Sequence, residues 1–278
     1  MKNDLMKVAM VTCLNERPHV SRIMLECAER LGLDVIGSCH FTKDFELMDE
    51  YEQKFVWNQE NDPAKKWSEA MRAAYYDNEK YTHFLIMGDD DSISTEGYCK
   101  LLDEAENGSD YCGFKRNAYV DVRTGRCAVH EYSYSCDKLI GAGRLISRRA
   151  VEAVMFKSEV EMKRDFCSWK QGSKQLLPLN VARYVVGYHC AKYVTEVIYT
   201  PIWDVNRRNG LDDYSEKKFV HAGFVPKAVD DELIHVTDFK LANNIWNFDI
   251  LKGLKSASLD ECTWFLSEYE MHYFNSLK

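Results

Sequence analysis

Tyr81-Thr-His-Phe-Leu-Ile-Met-Gly-Asp89-Asp90-Asp91 joins a short apolar run directly to three adjacent carboxylates. The run is too short for a helix and lacks polar alternation, so it fits a strand buried on both faces. Upstream, Lys7 to Leu14 (KVAMVTCL) has the same character. Pro18 then suits the first turn of a helix in which Val20, Ile23, Met24, Cys27, Ala28 and Leu31 share one face before Gly32 ends it. Leu33 to Phe41 and Lys54 to Trp57 read as further strands, and after Pro63 a second amphipathic helix carries Trp67, Ala70, Met71, Ala74 and Tyr75 at core spacing. Strands and helices in alternation predict an α/β fold with a mainly parallel sheet flanked by helices. Ligands of such sheets sit at the carboxyl ends of the strands, where Asn15-Glu16-Arg17 and the Asp triplet fall.

Three neighbouring carboxylates repel one another, and at the end of an apolar strand they need a counter-charge. A hard divalent cation supplies it: Mg²⁺ or Mn²⁺ held by one or two carboxylates completes its shell with water and substrate phosphates. The ligand implied is a nucleoside diphosphate group. The plainer alternative is a solvated acidic turn followed by a helix cap at Ser92 or Ser94.

Composition bounds the rest. With 278 residues, 46% of them apolar and 29% charged, the chain can bury a substantial core and is not a disordered polymer. Its longest apolar runs are about seven residues, far below the roughly 20 that span a bilayer. The first residues lack the long apolar core of a secretion signal, so a cytoplasmic protein is expected. The ten cysteines are scattered, with no two separated by only two residues, which favours buried reduced thiols over a zinc cluster. Net charge is -8, yet residues 113–220 hold 19 Lys and Arg against 12 Asp and Glu, while the remainder holds 17 against 32. The average therefore conceals a basic middle.

That middle begins with aromatic and polar residues alternating over 111–134 around Thr124-Gly125, an antiparallel hairpin pattern. Gly141-Ala-Gly143-Arg144 follows, leading to Ser147 as a helix N-cap with Val151, Val154 and Met155 on the buried face. Between Arg144 and Lys174 lie eight basic and four acidic residues interleaved with Phe156, Phe166 and Trp169. This mixture suits a polyanion with exposed bases, or equally a solvated helical surface over core aromatics.

The run Val-Thr12-Cys-Leu-Asn15-Glu16-Arg17-Pro18, then Trp57-Asn58, then Asn61-Asp62-Pro63-Ala-Lys65-Lys66-Trp67, then Gly-Asp89-Asp90-Asp91, resembles the nucleotide-sugar domain of GT-A glycosyltransferases. Short bacteriophage-type members are the nearest in pattern. The resemblance implies a GT-A, Rossmann-like sheet with an irregular C-terminal acceptor region: a nucleotide-sugar half at 1–112 and an acceptor half at 113–278 within one domain. It also implies that Thr12, Asn15, Glu16, Arg17 and Asn58 line the nucleotide pocket, with Lys66 and Arg144 near the phosphates. Asp89 and Asp91 form a literal Asp-X-Asp, whereas the phage-like register favours Asp90 and Asp91, and the choice stays open. Near the C-terminus, Asp238-Phe-Lys240 followed by Asn-Ile matches a phage-like segment that packs beside the donor, and His235 is a candidate third metal ligand. Asp165 and Asp204 are candidates for the carboxylate that deprotonates the acceptor.

These readings lead to a metal-dependent glycosyltransferase using Mn²⁺ or Mg²⁺ and a nucleotide-diphosphate sugar. The phage-like pattern and the basic segment 144–174 make a hydroxymethylated base in DNA one acceptor, reached by base flipping. A polysaccharide or lipid-linked hydroxyl is the other. A sugar nucleotidyltransferase and a non-catalytic binding module are the competing functions. The first of these usually carries a glycine-rich basic loop where this chain has Asn-Glu-Arg-Pro.

Overall fold

The computed structural model describes residues 6–77, 81–132, 138–157, 198–199, 201–203, 211–229, 232–241 and 253–277. Its first half alternates strand and helix: β1 (Val8–Cys13), α1 (Pro18–Leu31), β2 (Asp34–Cys39), α2 (Thr42–Glu50), β3 (Lys54–Trp57), α3 (Pro63–Tyr76) and β4 (His83–Ile86). Then come β5 (Asp91–Ile93), α4 (Thr95–Glu106), β6 (Tyr111–Gly113), β7 (Arg116–Asp121), β8 (Cys127–Glu131), β9 (Arg144–Ser147) and α5 (Arg148–Met155). The remainder comprises β10 (Phe156–Lys157), β11 (Ile198–Tyr199), α6 (Leu211–His221), β12 (Lys227–Ala228), β13 (Val236–Lys240), β14 (Lys255–Ala257), α7 (Leu259–Thr263) and α8 (Glu268–Ser276).

Seven strands form the main sheet in the order β12-β6-β9-β4-β1-β2-β3. Strands β1 to β4 pair in parallel, and β9 alone runs antiparallel between β4 and β6. All six residues of β1 are buried, as a central strand with helices on both faces requires. One face packs on α1, α2 and α4 and the other on α3, α5 and α6, which accounts for the two largest apolar clusters. Local chemistry fixes the helix ends. Gly32 closes α1 in the left-handed conformation, and Asp62, Ser94 and Ser147 cap α3, α4 and α5 through their side chains.

A second, five-stranded sheet has the order β14-β8-β7-β13-β5. The expected hairpin is the pair β7–β8, turning at Thr124-Gly125. Tyr111–Gly113, which the alternation joins to that hairpin, instead pairs with β9 in the main sheet, where these fully buried residues complete its core. Ala118, Val120 and Phe239 on one face of the second sheet pack against Val20 and Ile23 of α1, Cys262 of α7 and Phe274 of α8. Side chains alternate along strands, so the opposite face carries Asn117, Tyr119, Asp238 and Lys240. Among the described C-terminal residues, strands β12 to β14 and helices α6 to α8 are joined by turns and extended segments.

Candidate functional site

Strand β4 ends at Ile86, and Gly88 turns the chain tightly into β5, with the Asp91 N–H donating to the Gly88 carbonyl at 3.2 Å. The Asp91 carboxylate folds back to accept the Gly88 N–H at 2.6 Å. A Cβ at Gly88 would lie 2.6 Å from Asp91 Oδ2, so the glycine makes room for this return of the carboxylate. The three aspartates then diverge. Asp89 is 2% exposed and looks back at the β1–α1 loop, accepting from the Asn15 N–H at 3.0 Å, the Ser21 hydroxyl at 3.3 Å and the Arg17 guanidinium. Asp90 accepts from Arg17 at 2.7 Å, while its carbonyl receives the Phe239 N–H at 2.7 Å. Asp91 begins β5, which pairs antiparallel with β13 so that Asp238 lies directly opposite it.

Strand pairing thus assembles a group that the sequence separates by almost 150 positions. Oxygens of Asp90, Asp91 and Asp238 lie within 4.8 Å of one another, close enough to hold one metal ion between them. Asp238 Oδ1 is buried with no hydrogen-bond partner, the condition of a ligand atom awaiting a cation. Lys240 Nζ stands 2.5 Å from Asp238 and 3.8 Å from Asp90. Among the described residues, Arg17 and Lys240 are the cations within 4 Å of these four carboxylates, Asp89 included, and Lys66 acts on Asp89 from further off, so carboxylates outnumber their cations.

The same imbalance governs proton affinities. Burial, then repulsion from Asp238 and Asp90, holds Asp91 well above the usual carboxylate range. Burial likewise pushes Asp238 up to about 7 against the pull of Lys240. Burial works in the same sense on Asp90, but Arg17 and Lys240 outweigh it and keep that group below its ordinary value. Burial opposes the Arg17 charge, and Asp89 and Asp90 overcome it to hold the guanidinium above its ordinary range.

The other expected site residues fall into three groups. Lys66 is fully buried and donates to the Leu14 carbonyl at 2.6 Å and Asn15 Oδ1 at 2.8 Å, which makes it a brace for the β1–α1 loop. Glu16 adopts φ 58° in that loop, held by N–H bonds to both Asp44 oxygens, with its side chain exposed. Thr12 Oγ1 and Asn58 Nδ2 are buried at the strand ends without partners. Arg144 is a correction: it is 3% exposed and points inward, donating to the carbonyls of Ile140 at 2.5 Å, Leu139 at 2.8 Å and Asp212 at 3.3 Å. His235 is another, because it is an odd number of residues from Asp238 and so lies on the other side of the strand path. There it bonds Ser94 Oγ at 2.7 Å and packs on Phe114. Asp165 and Asp204 lie outside the described residues.

A cleft of about 520 Å³ opens beside the carboxylates, lined in part by Trp67, Asp91, Asp238, Lys240 and Asp212. Trp67, expected wholly in the core, is half-buried: it stacks on Trp203 at 5.4 Å and also faces this cleft. Asp212 was not anticipated. It sits in the first turn of α6 against Gly141, where a Cβ would lie 2.5 Å from Asp212 Oδ2. The sequence signal was Gly141 itself, a residue that permits close approach, but its partner 71 positions away gave none.

No protein-family profile matches this chain, and no curated protein matches its sequence. Solved structures that overlay on it include GalNAc-T7 with UDP, GalNAc and Mn²⁺, at 9% identity and a TM-score of 0.49. That overlay covers 98% of this chain and 50% of GalNAc-T7, so the chain spans half of that protein's length. A 4-diphosphocytidyl-2C-methyl-D-erythritol synthase from Anaerococcus prevotii overlays with a TM-score of 0.38 at 8% identity, covering 78% of this chain and 94% of that one. Mannose-1-phosphate geranyltransferase from Thermus thermophilus gives 0.34 at 12% identity over 54% and 60%. At these values function has to be argued from the site alone.

Proposed function

We propose that this protein is a metal-dependent glycosyltransferase of GT-A type, moving a sugar from a nucleotide-diphosphate donor to an acceptor hydroxyl. The observation that carries this reading is the Asp90–Asp91–Asp238 group, in which carboxylates outnumber cations, at the carboxyl end of a parallel strand and beside a cleft of ligand size. Those three residues would hold Mn²⁺ or Mg²⁺, which when bound offsets charge developing on the departing diphosphate. Arg17 holds Asp90 in place, and Lys240 adds a cation beside the same group. Asn15, Asn58 and the strand-end Thr12 supply polar groups where the nucleoside would lie, the last two with an unpartnered atom each.

Acceptor activation needs a carboxylate outside the cation group. Asp212 fits: it lines the cleft, and its carboxylate lies close against Gly141. It would take the hydroxyl proton as the oxygen bonds to the anomeric carbon and the bond to the diphosphate breaks. Asp165 and Asp204 remain proposals of the same kind. Hydroxymethylated DNA as acceptor draws on segment 144–174. In its described part Arg144 is buried, Arg148 lies 4.2 Å over the Tyr75 ring, and Arg149 pairs with Asp110. Support for DNA therefore reduces to residues 157–174.

The test is incubation with Mn²⁺ or Mg²⁺ and a panel of nucleotide sugars, following release of nucleoside diphosphate. Release is expected, with loss of at least about 100-fold in Asp91→Asn and Asp238→Asn variants that keep the wild-type circular dichroism. Pyrophosphate release from a nucleoside triphosphate, or metal-dependent binding without turnover, would overturn the proposal. The charge balance argues against the triphosphate, because Arg17, Lys66 and Lys240 are already engaged with protein groups.

A further inference from the structure

The polar face of the second sheet continues beyond the carboxylates. Asp91 on β5 lies opposite Asp238 on β13, and Asp238 lies opposite Tyr119 on β7. Asn117 is two residues from Tyr119 on the same face, and opposite it on β8 stands His130, with Tyr132 two residues further on. Adjacent strands are about 4.8 Å apart, so this aromatic row begins roughly 10 Å from Asp91, on the side away from the β1–α1 loop. Tyr119, His130 and Tyr132 all line the cleft, and the His130 and Tyr132 rings meet edge to face at 4.7 Å. Burial holds His130 below its ordinary pKa, which favours the neutral ring. Asn117 is 4% exposed, lines the same cleft, and has an Oδ1 that accepts no hydrogen bond.

We infer that this row is the acceptor subsite and that it takes a neutral sugar ring, a class of acceptor that rests on the glycosyl-transfer reading above. Aromatic faces bury the apolar side of a ring, while Asn117 Oδ1 accepts a hydroxyl that would otherwise leave it unpaired. Charge selects against a polyanion. The cleft lining contains Asp91, Asp212 and Asp238 against Lys240 alone among the described residues, and Lys138, 6.0 Å over the Tyr132 ring, is paired with Asp213, so the net charge disfavours a phosphate chain.

The test is saturation-transfer NMR and calorimetry on the full-length protein, with neutral methyl pyranosides and malto- and cello-oligosaccharides, in the absence of donor and metal. At least one saccharide is expected to bind and to shift the His130 ring resonances. Tyr132→Ala should weaken it about tenfold or more, Asn117→Leu should weaken it comparably, and Tyr132→Phe should retain it. Binding of no saccharide, binding indifferent to Tyr132→Ala and Asn117→Leu, or binding only of a hydroxymethylated oligonucleotide with steep salt dependence would each overturn the inference. The wild-type His130 shift needs no variant to fold. Saccharide binding without any nucleoside diphosphate release would sink the transfer reading and leave the subsite standing, and the reverse result would sink the subsite alone.

Discussion

Replacing Arg17 by Met tests the electrostatic account of the site at its most exacting point. The guanidinium is the direct partner of both Asp89 and Asp90, and the side chains are 9%, 3% and 12% exposed, so solvent screening is slight. Removing one partner of a buried pair typically costs about 3–5 kcal/mol, because the other charge is left uncompensated. Asp90 keeps Lys240 at 3.8 Å, so the loss falls mainly on Asp89. Asp89 can escape by taking up a proton, which at pH 7 costs a carboxyl of ordinary pKa about 4 kcal/mol; burial already holds Asp89 above that range despite Arg17, so the penalty is capped below this figure. The expected destabilisation is therefore about 2–3 kcal/mol, or a fall in Tm of about 8 °C for a chain of this size. Urea and thermal unfolding at pH 7 in EDTA would measure it. The double variant Arg17→Met/Asp89→Asn should recover at least half the loss, since Asn still accepts the Asn15 N–H without a charge to bury. A single variant within about 1 kcal/mol of wild type, or no recovery in the double variant, would refute the argument.

Other substitutions probe the framework that holds the site. Gly97→Ala should lower stability by about 1–3 kcal/mol, reversing the usual helix preference, because the new Cβ would lie 2.6 Å from His235 Cβ in a buried contact; thermal unfolding reads the sign. Glu16→Gly should leave stability unchanged or raise it by up to about 1 kcal/mol, since it removes a side chain from a left-handed position, and a loss above about 1 kcal/mol in urea unfolding would contradict this. Burial pushes Asp44 up to about 6 despite its bonds from the Glu16 N–H. The native state then binds this proton more tightly than the unfolded chain, so the residue's contribution to stability falls as pH rises from about 4 to above 6. Asp44→Asn should accordingly gain on wild type between pH 5 and pH 7.5, and equal Tm offsets at both would count against the assignment.

The α/β half could be read from the sequence because its signals are local. Helix α1 runs from Pro18 to Leu31 and β3 from Lys54 to Trp57, as periodicity and breakers indicate, and Ser147 caps α5. Each depends on residues within a turn or two of one another. The pattern gives Tyr111–Gly113 the wrong partner because alternation tells how a strand faces and not which neighbour it joins. Arg144 looks like a phosphate ligand because a charged residue after glycines is an exposed feature in sequence, whereas its carbonyl partners depend on how the preceding segment and α6 close over it.

The sequence by itself determined that three carboxylates end a buried strand of a mainly parallel sheet, and hence that the chain must supply them with positive charge. Tertiary structure decided the rest: that Asp89 belongs to Arg17 and the β1–α1 loop, that Asp90 and Asp91 combine with Asp238, and that Lys240 stands beside them. The physical reason is that hydrophobic periodicity fixes which face of a strand is buried at a range of a few residues. Charge compensation in a buried site is set by distances of a few ångströms, and here those arise only when β13 closes on β5.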